Sequence, residues 1–310
     1  MSEQQNPYRL DAAESVFFAR QLEYIKSRTY DEKLAELRYQ KFLPISQEAG
    51  SGATEITYRS FRGFGMAKLI SDYAHDYPRV DIGGTEVTVK VKNYGISYHY
   101  NILEIRRAAK AGLNLEQRRA NAARRATEQK LNTVAWLGDS VAGLQGFIKY
   151  PGTTEYTLPA DGTGVSKLWT TKTPDLIIRD LNGLVNAVVI TTKGVESIDT
   201  ILMPIAQLTY LKNTRMGSNT DTTIYKFFTD NNPGITLDWV QELDNAGTGG
   251  TIDVIVAYKR DPEHVTFEVP NFFEAFEADK EGLSYKVPCI ATTAGVIVYY
   301  PLSVAWAEGL

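Results

Sequence analysis

The sequence predicts an α+β fold, and three stretches carry that prediction. Residues 85–102, TEVTVKVKNYGISYHYNI, set Val87, Val89 and Val91 against Thr88, Lys90 and Lys92. That alternation is a strand with one apolar face. Residues 114–139, NLEQRRANAARRATEQKLNTVAWLGD, read as one long helix with two Arg-Arg pairs among alanines. The chain closes on AGVIVYYPLSVAWAEGL, two strand-sized apolar runs parted by Pro301.

The elements follow in order. Residues 11–43 read as a helical arm, with Phe17, Leu22, Ile25, Leu34 and Leu37 near helical spacing among balanced charges. QEAGSGATE, 47–55, breaks that pattern with glycines. Ile56 and Tyr58 then alternate in TEITYRSF, and a glycine-flanked stretch, 62–84, leads to the run holding Val87, Val89 and Val91. The simplest shape is a long two-stranded excursion with an elaborated tip. A lone two-stranded ribbon is marginal in water, so this chain or another copy must cover it. Asn114 is a plausible N-cap for the long helix. A second helix follows Pro174 in LIIRDLNGLVNAVVITTKG. DTILM is a short strand, and PIAQLTYLKNT a helix with Pro204 in its first turn. TTIYKFFTDN and TLDWVQEL come next, then a glycine-rich turn feeding the buried strand DVIVAY, then VTFEVP.

Length and composition bound the function. The chain has 310 residues, 43% hydrophobic and 23% charged, with a formal net charge of −4. That suits one large or two ordinary domains. It argues against coating nucleic acid over a broad basic face. A single cysteine, Cys289, allows no disulfide within the chain and suits a reducing compartment. The first residues are polar, without the apolar run of a signal peptide. No segment approaches the roughly 20 apolar residues of a membrane span. The expectation is a soluble protein made in the cytoplasm.

The search for catalytic chemistry finds little. His75, His99 and His264 stand in no metal-ligand spacing. Cys289 lies in the apolar run KVPCIATT and reads as a buried structural thiol. GTGGT and GSGATE lack the Lys-Ser/Thr ending of a phosphate loop. Glu274 and Glu277, in NFFEAFEADKEG, would share one side of a helix as a solvated edge beside aromatics. Neither an enzyme nor a metal or cofactor site is expected.

In the long helix, Glu128 lies four residues after Arg124 and three after Arg125, and Glu116 three before Arg119. These spacings place opposite charges side by side. Ala122, Ala123, Ala126, Thr133, Val134 and Leu137 form an apolar stripe fit for close packing. The basic flank of Arg118, Arg119, Arg124 and Arg125 has three readings. It is solvated, it grips carboxylates of a neighbouring subunit, or it holds nucleic acid. The last lacks interleaved aromatics to stack bases.

Helical arm, long β excursion, long helix, compact α/β segment and returning strands: this order resembles the tailed-phage major capsid proteins of the Hong Kong 97-like fold. The closing TTAGVIVYYPLSVAWAEGL is its most specific local piece. The resemblance implies an N-terminal arm at 1–50 and an extended loop at 51–100. It implies a peripheral domain at 101–196 with a spine helix at 114–137, an axial domain at 197–256, and return strands at 257–310. It also implies that Ile56, Tyr58, Val87, Val89 and Val91 cover a neighbouring subunit, and that the arginine helix packs near subunit contacts. Some relatives join an extended-loop lysine to a neighbour's asparagine. Lys68 is the candidate here, with no asparagine assignable, and a solvated charge without cross-linking is expected.

The partners implied are other copies, as hexamers and pentamers, together with a portal. A separate scaffolding protein is expected, because the arm begins almost at once. Contact with packaged double-stranded DNA would be weak and nonspecific, and no membrane is involved. The setting would be the virion, and the host cytoplasm during assembly. An encapsulin shell shares the fold and is the alternative. A monomeric nucleic-acid-binding protein using the arginine helix is the second alternative.

Overall fold

The computed structural model describes residues 35–67, 79–110 and 115–310. The chain divides into two units, Met1–Glu36 and Leu37–Leu310, and every element below belongs to the second. Lys68, His75, Asn114 and most of the expected arm lie outside the described residues.

A single helical turn, α1 (Tyr39–Phe42), leads into β1 (Ile45–Ser46). The excursion is β2 (Glu55–Phe64) and β3 (Asp81–Lys90), paired antiparallel over their whole length. The strand expected to run on from Val87 is divided at Val91, whose N–H donates to the Thr54 carbonyl at 2.9 Å. Beyond it, β4 (Lys92–Asn101) belongs to another sheet, followed by α2 (Ile102–Lys110) and the long α3 (Leu115–Leu137). Next come β5 (Thr154–Glu155), α4 (Pro174–Thr191), β6 (Thr200–Met203), α5 (Ile205–Asn213), α6 (Ile224–Asn231) and β7 (Thr236–Trp239). The returning strands are β8 (Val254–Tyr258), β9 (Val265–Glu268), β10 (Asn271–Ala275), β11 (Asp279–Glu281), β12 (Ser284–Thr293), β13 (Gly295–Val298) and β14 (Ala305–Glu308).

Three sheets hold the body. The ten-residue β12 is the spine of one: β4 pairs antiparallel along its full length, and β10 and β11 pair with its other edge. A second runs β5-β14-β8-β6-β7, mixing parallel and antiparallel pairs. A third, β1-β9-β13, is small. The five-stranded sheet explains its own sequence. The VIVAY run of β8 is buried at all five positions because both faces are covered. Val254, Val256 and Tyr258 enter a core with Leu131, Val134, Trp136 and Phe147. Ile255 and Ala257 enter a second core with Ile177, Leu181, Leu184 and Phe228. The expected axial segment, 197–256, thus shares this second core with α4, which precedes it in the chain.

The amphipathic α3 packs through Ala123, Thr127, Leu131, Val134 and Ala135, spaced at i, i+4, i+8, i+11 and i+12. The expected stripe is corrected there: Ala122, Thr133 and Leu137 face outward. The sheet under the helix selects a seam about one residue round from the one alanine content suggested, centred on Leu131. Glu274 is also corrected. It lies on β10, where pairing with β12 overrides the helical spacing, while Glu277 follows in the connection to β11; both carboxylates are exposed as expected.

Candidate subunit-contact surface

The ribbon's register puts the predicted residues together. Ile56 faces Val89 and Tyr58 faces Val87 across the strands, so all four share one face. The opposite face at the same level is a polar ladder. Thr57 and Thr88 hydroxyls lie 2.8 Å apart, and the Arg59 guanidinium sits 3.5 Å from Glu86. Val91 is half-buried at the hinge into β4.

The apolar face is covered only at its base. Tyr58 meets Tyr299 edge-on, with ring centres 5.1 Å apart. Burial raises both phenol pKa values, and at Tyr299 the Thr266 hydrogen bond partly offsets this. Between ribbon and body opens a groove of about 880 Å³, walled by Gln47, Glu48, Tyr58, Thr266, Tyr299 and Tyr300 among others. Further out nothing in the described chain covers the ribbon. Val87 remains 41% exposed, Ile82 67% and Phe61 73%.

Phe61, Phe64, Val80 and Ile82 were not singled out from the sequence. The readable signal was the glycine set within the strands. A Cβ at Gly84 would meet the Phe61 ring at 3.2 Å, and one at Gly83 the Phe64 ring at 2.9 Å. Each ring lies against a glycine of the neighbouring strand. Phe61 and Phe64 point to opposite faces, so the outer ribbon displays aromatics on both sides.

The arginines of α3 divide. Arg119 reaches back to the His99 carbonyl at 2.6 Å and to Glu104 of α2 at 3.0 Å, not to Glu116. Its hydrogen bond holds the Glu104 carboxyl below the usual range. Arg124 bonds Glu128 at 3.2 Å, as the spacing predicted. Arg118 is exposed and Arg125 half-buried. Cys289 is buried in β12, where burial raises its thiol pKa. His264 is buried with Nε2 2.8 Å from Glu196, a packing arrangement. No group of His, Cys, Asp and Glu among the described residues could hold a metal ion.

An exposed two-stranded ribbon beside a long helix and a doubly covered sheet can be compared with known proteins. The sequence profile of the major capsid protein family matches residues 65–310. The chain belongs to the major capsid protein family. A capsid shell subunit has a structural role, and the exposed ribbon of this family member suits one. The chain is similar to a capsid chain of Myoviridae phage XM1, with 17% identity and a TM-score of 0.82 over 95% of this chain and 99% of that one. It is similar to a chain of an empty GTA particle capsid, at 10% identity and a TM-score of 0.66 over 96% and 99%. A virus-like particle from Pyrococcus furiosus is more distant, at 9% identity and a TM-score of 0.53 over 87% and 91%. These likenesses establish the Hong Kong 97-like fold. No curated protein sequence matches the chain.

Proposed function

We propose that copies of this chain form hexamers and pentamers that close into the head shell of a tailed phage, around double-stranded DNA. The observation that carries this reading is the ribbon of β2 and β3, whose outer apolar side chains Phe61, Ile82 and Val87 stay exposed, with no described residue covering them. Full burial of such a side chain is worth roughly 1.5–3 kcal/mol. A neighbouring copy supplies that burial when the ribbon lies on it. Ile56, Tyr58, Val87 and Val89 seat the ribbon's base, and the aromatics outside them meet the neighbour. The extended loop is then β2 and β3, and β4 serves the body. The role is structural and not catalytic, a portal and a separate scaffold complete the head, and the protein resides in the virion after assembly in the host cytoplasm.

The likeness to the phage XM1 capsid chain, at a TM-score of 0.82 over 95% of this chain, supports a phage head over an encapsulin shell. Protein expressed alone and viewed by electron microscopy should show shells or capsomers. Filter binding of unassembled protein should retain little DNA at physiological salt. Single molecules that bind DNA with a steep salt slope would contradict the reading and favour a nucleic-acid-binding protein.

A further inference from the structure

One end of the long β4–β12 sheet carries two exposed charged surfaces of opposite sign. The first is α2. Its exposed face, at i, i+3, i+4 and i+7, is Leu103, Arg106, Arg107 and Lys110. Ile102 and Ile105 turn inward from it, half-buried. The second is the connection from β10 through β11 to β12. It exposes Phe276, Glu277, Asp279, Glu281 and Leu283, with Lys280 among them. The two meet where the Ile102 N–H donates to the Leu283 carbonyl at 3.1 Å. None of the three cations on α2, and none of the three carboxylates on the hairpin, makes an ion pair with a described residue. Glu104, three residues before Arg107 and close enough to feel its charge, is engaged by Arg119.

We infer that the acidic hairpin of one copy docks on the cationic face of α2 of the next copy. This rests on the reading that copies of the chain assemble. Three cations on one surface stand against a hairpin of net charge −2, its three carboxylates less Lys280, and each surface carries exposed apolar side chains at its edge: Leu103 on one, Phe276 and Leu283 on the other. Both surfaces sit on the same chain and differ from each other, so the contact is head-to-tail. A head-to-tail contact closes into a ring when its rotation permits. Complementary charge at such a surface fixes register and rejects wrong docking more than it adds affinity.

The test is a charge swap in the full chain. The hairpin variant is Glu277→Lys/Asp279→Lys/Glu281→Lys, and the helix variant Arg106→Glu/Arg107→Glu/Lys110→Glu. Each alone sets like charges against each other and should lower shell yield by at least about tenfold. The six-fold variant restores opposite charges and should return the yield to about the wild-type level. All residues changed are exposed, and the melting temperature of unassembled protein checks that the fold is intact. If a reversal variant folds poorly, the neutral set Glu277→Gln/Asp279→Asn/Glu281→Gln replaces it and should still lower yield. Normal yield from either triple variant overturns the inference, and so does failure of the six-fold variant to rescue. Loss confined to the helix variant also overturns it and assigns the cations to a polyanion instead. Absence of shells from the wild-type chain would count against the proposed function, not against this contact.

Discussion

Lys172 and Asp180 are both fully buried, with Nζ 2.6 Å from the carboxylate and 2.8 Å from the Pro159 carbonyl. They tie the segment before α4 to that helix. Asp180→Ala leaves the buried Lys172 ammonium only the Pro159 carbonyl and the Asp161 carboxylate 3.4 Å away, and it takes a partner from Arg179, so denaturant unfolding should show a loss of up to about 3–5 kcal/mol. The double change Lys172→Met/Asp180→Leu should lose much less, since it leaves no orphaned charge. Asp139 behaves differently. The Lys130 ammonium, then the Ala142 N–H and the Tyr94 hydroxyl, hold its pKa at about 2, down from 3.8. A depressed carboxyl pKa stabilises the fold above the unfolded value, and that contribution disappears as pH falls through the folded one. The Asp139 contribution should therefore be constant above about pH 5 and fade between about pH 4 and 2. Comparing acid titrations of wild type and Asp139→Asn checks this: the variant should lose stability at neutral pH and show a shallower slope in that window. An unchanged slope would remove Asp139 from the account.

At the scale of elements, α3 ends where Gly138 adopts φ +77° and its N–H caps the Val134 carbonyl at 3.0 Å. A Cβ there would lie 2.6 Å from both the Gly146 nitrogen and the Leu144 carbonyl. Gly138→Ala combines a left-handed backbone with a backbone clash and should cost more than the roughly 1 kcal/mol of an ordinary strained turn glycine. Thermal unfolding measures it, and a melting temperature within a degree of wild type would contradict the packing described. Existence of the elements was legible in the sequence where a period was long: the alternation over Val87, Val89 and Val91, the extent of α3, the runs of β8 and β13. Their partners were not. Nothing local says that the strand hands over at Val91 from β2 to β12, because both halves alternate alike and a pairing partner nearly 200 residues away decides. The α3 seam was misjudged for the same reason, since alanine fits either side until a sheet selects Leu131. The ribbon's outer aromatics were missed because Phe64 sits between Gly63 and Gly65, with Phe61 just before them, and local propensity reads such glycines as turn.

For the whole molecule, the claim is that the ribbon contributes to assembly and hardly to the monomer. Two cores close without it: among the described residues, none of those buried in them lies between 55 and 90. At its base Tyr58 rests edge-on against Tyr299 of the body. Val89→Asp, on the shared apolar face, should therefore lower shell yield far more than it lowers the melting temperature, because the half-buried position leaves a charge in reach of water until a neighbour completes its burial. The most direct measurement replaces residues 55–90 with a short Gly-Ser turn joining Thr54 to Val91, whose backbones already hydrogen-bond. Calorimetry and electron microscopy are then run on the same preparation. The expected result is a soluble monomer with one cooperative transition near that of the wild-type monomer, and no shells. An unfolded product, or shells in normal yield, would contradict the account.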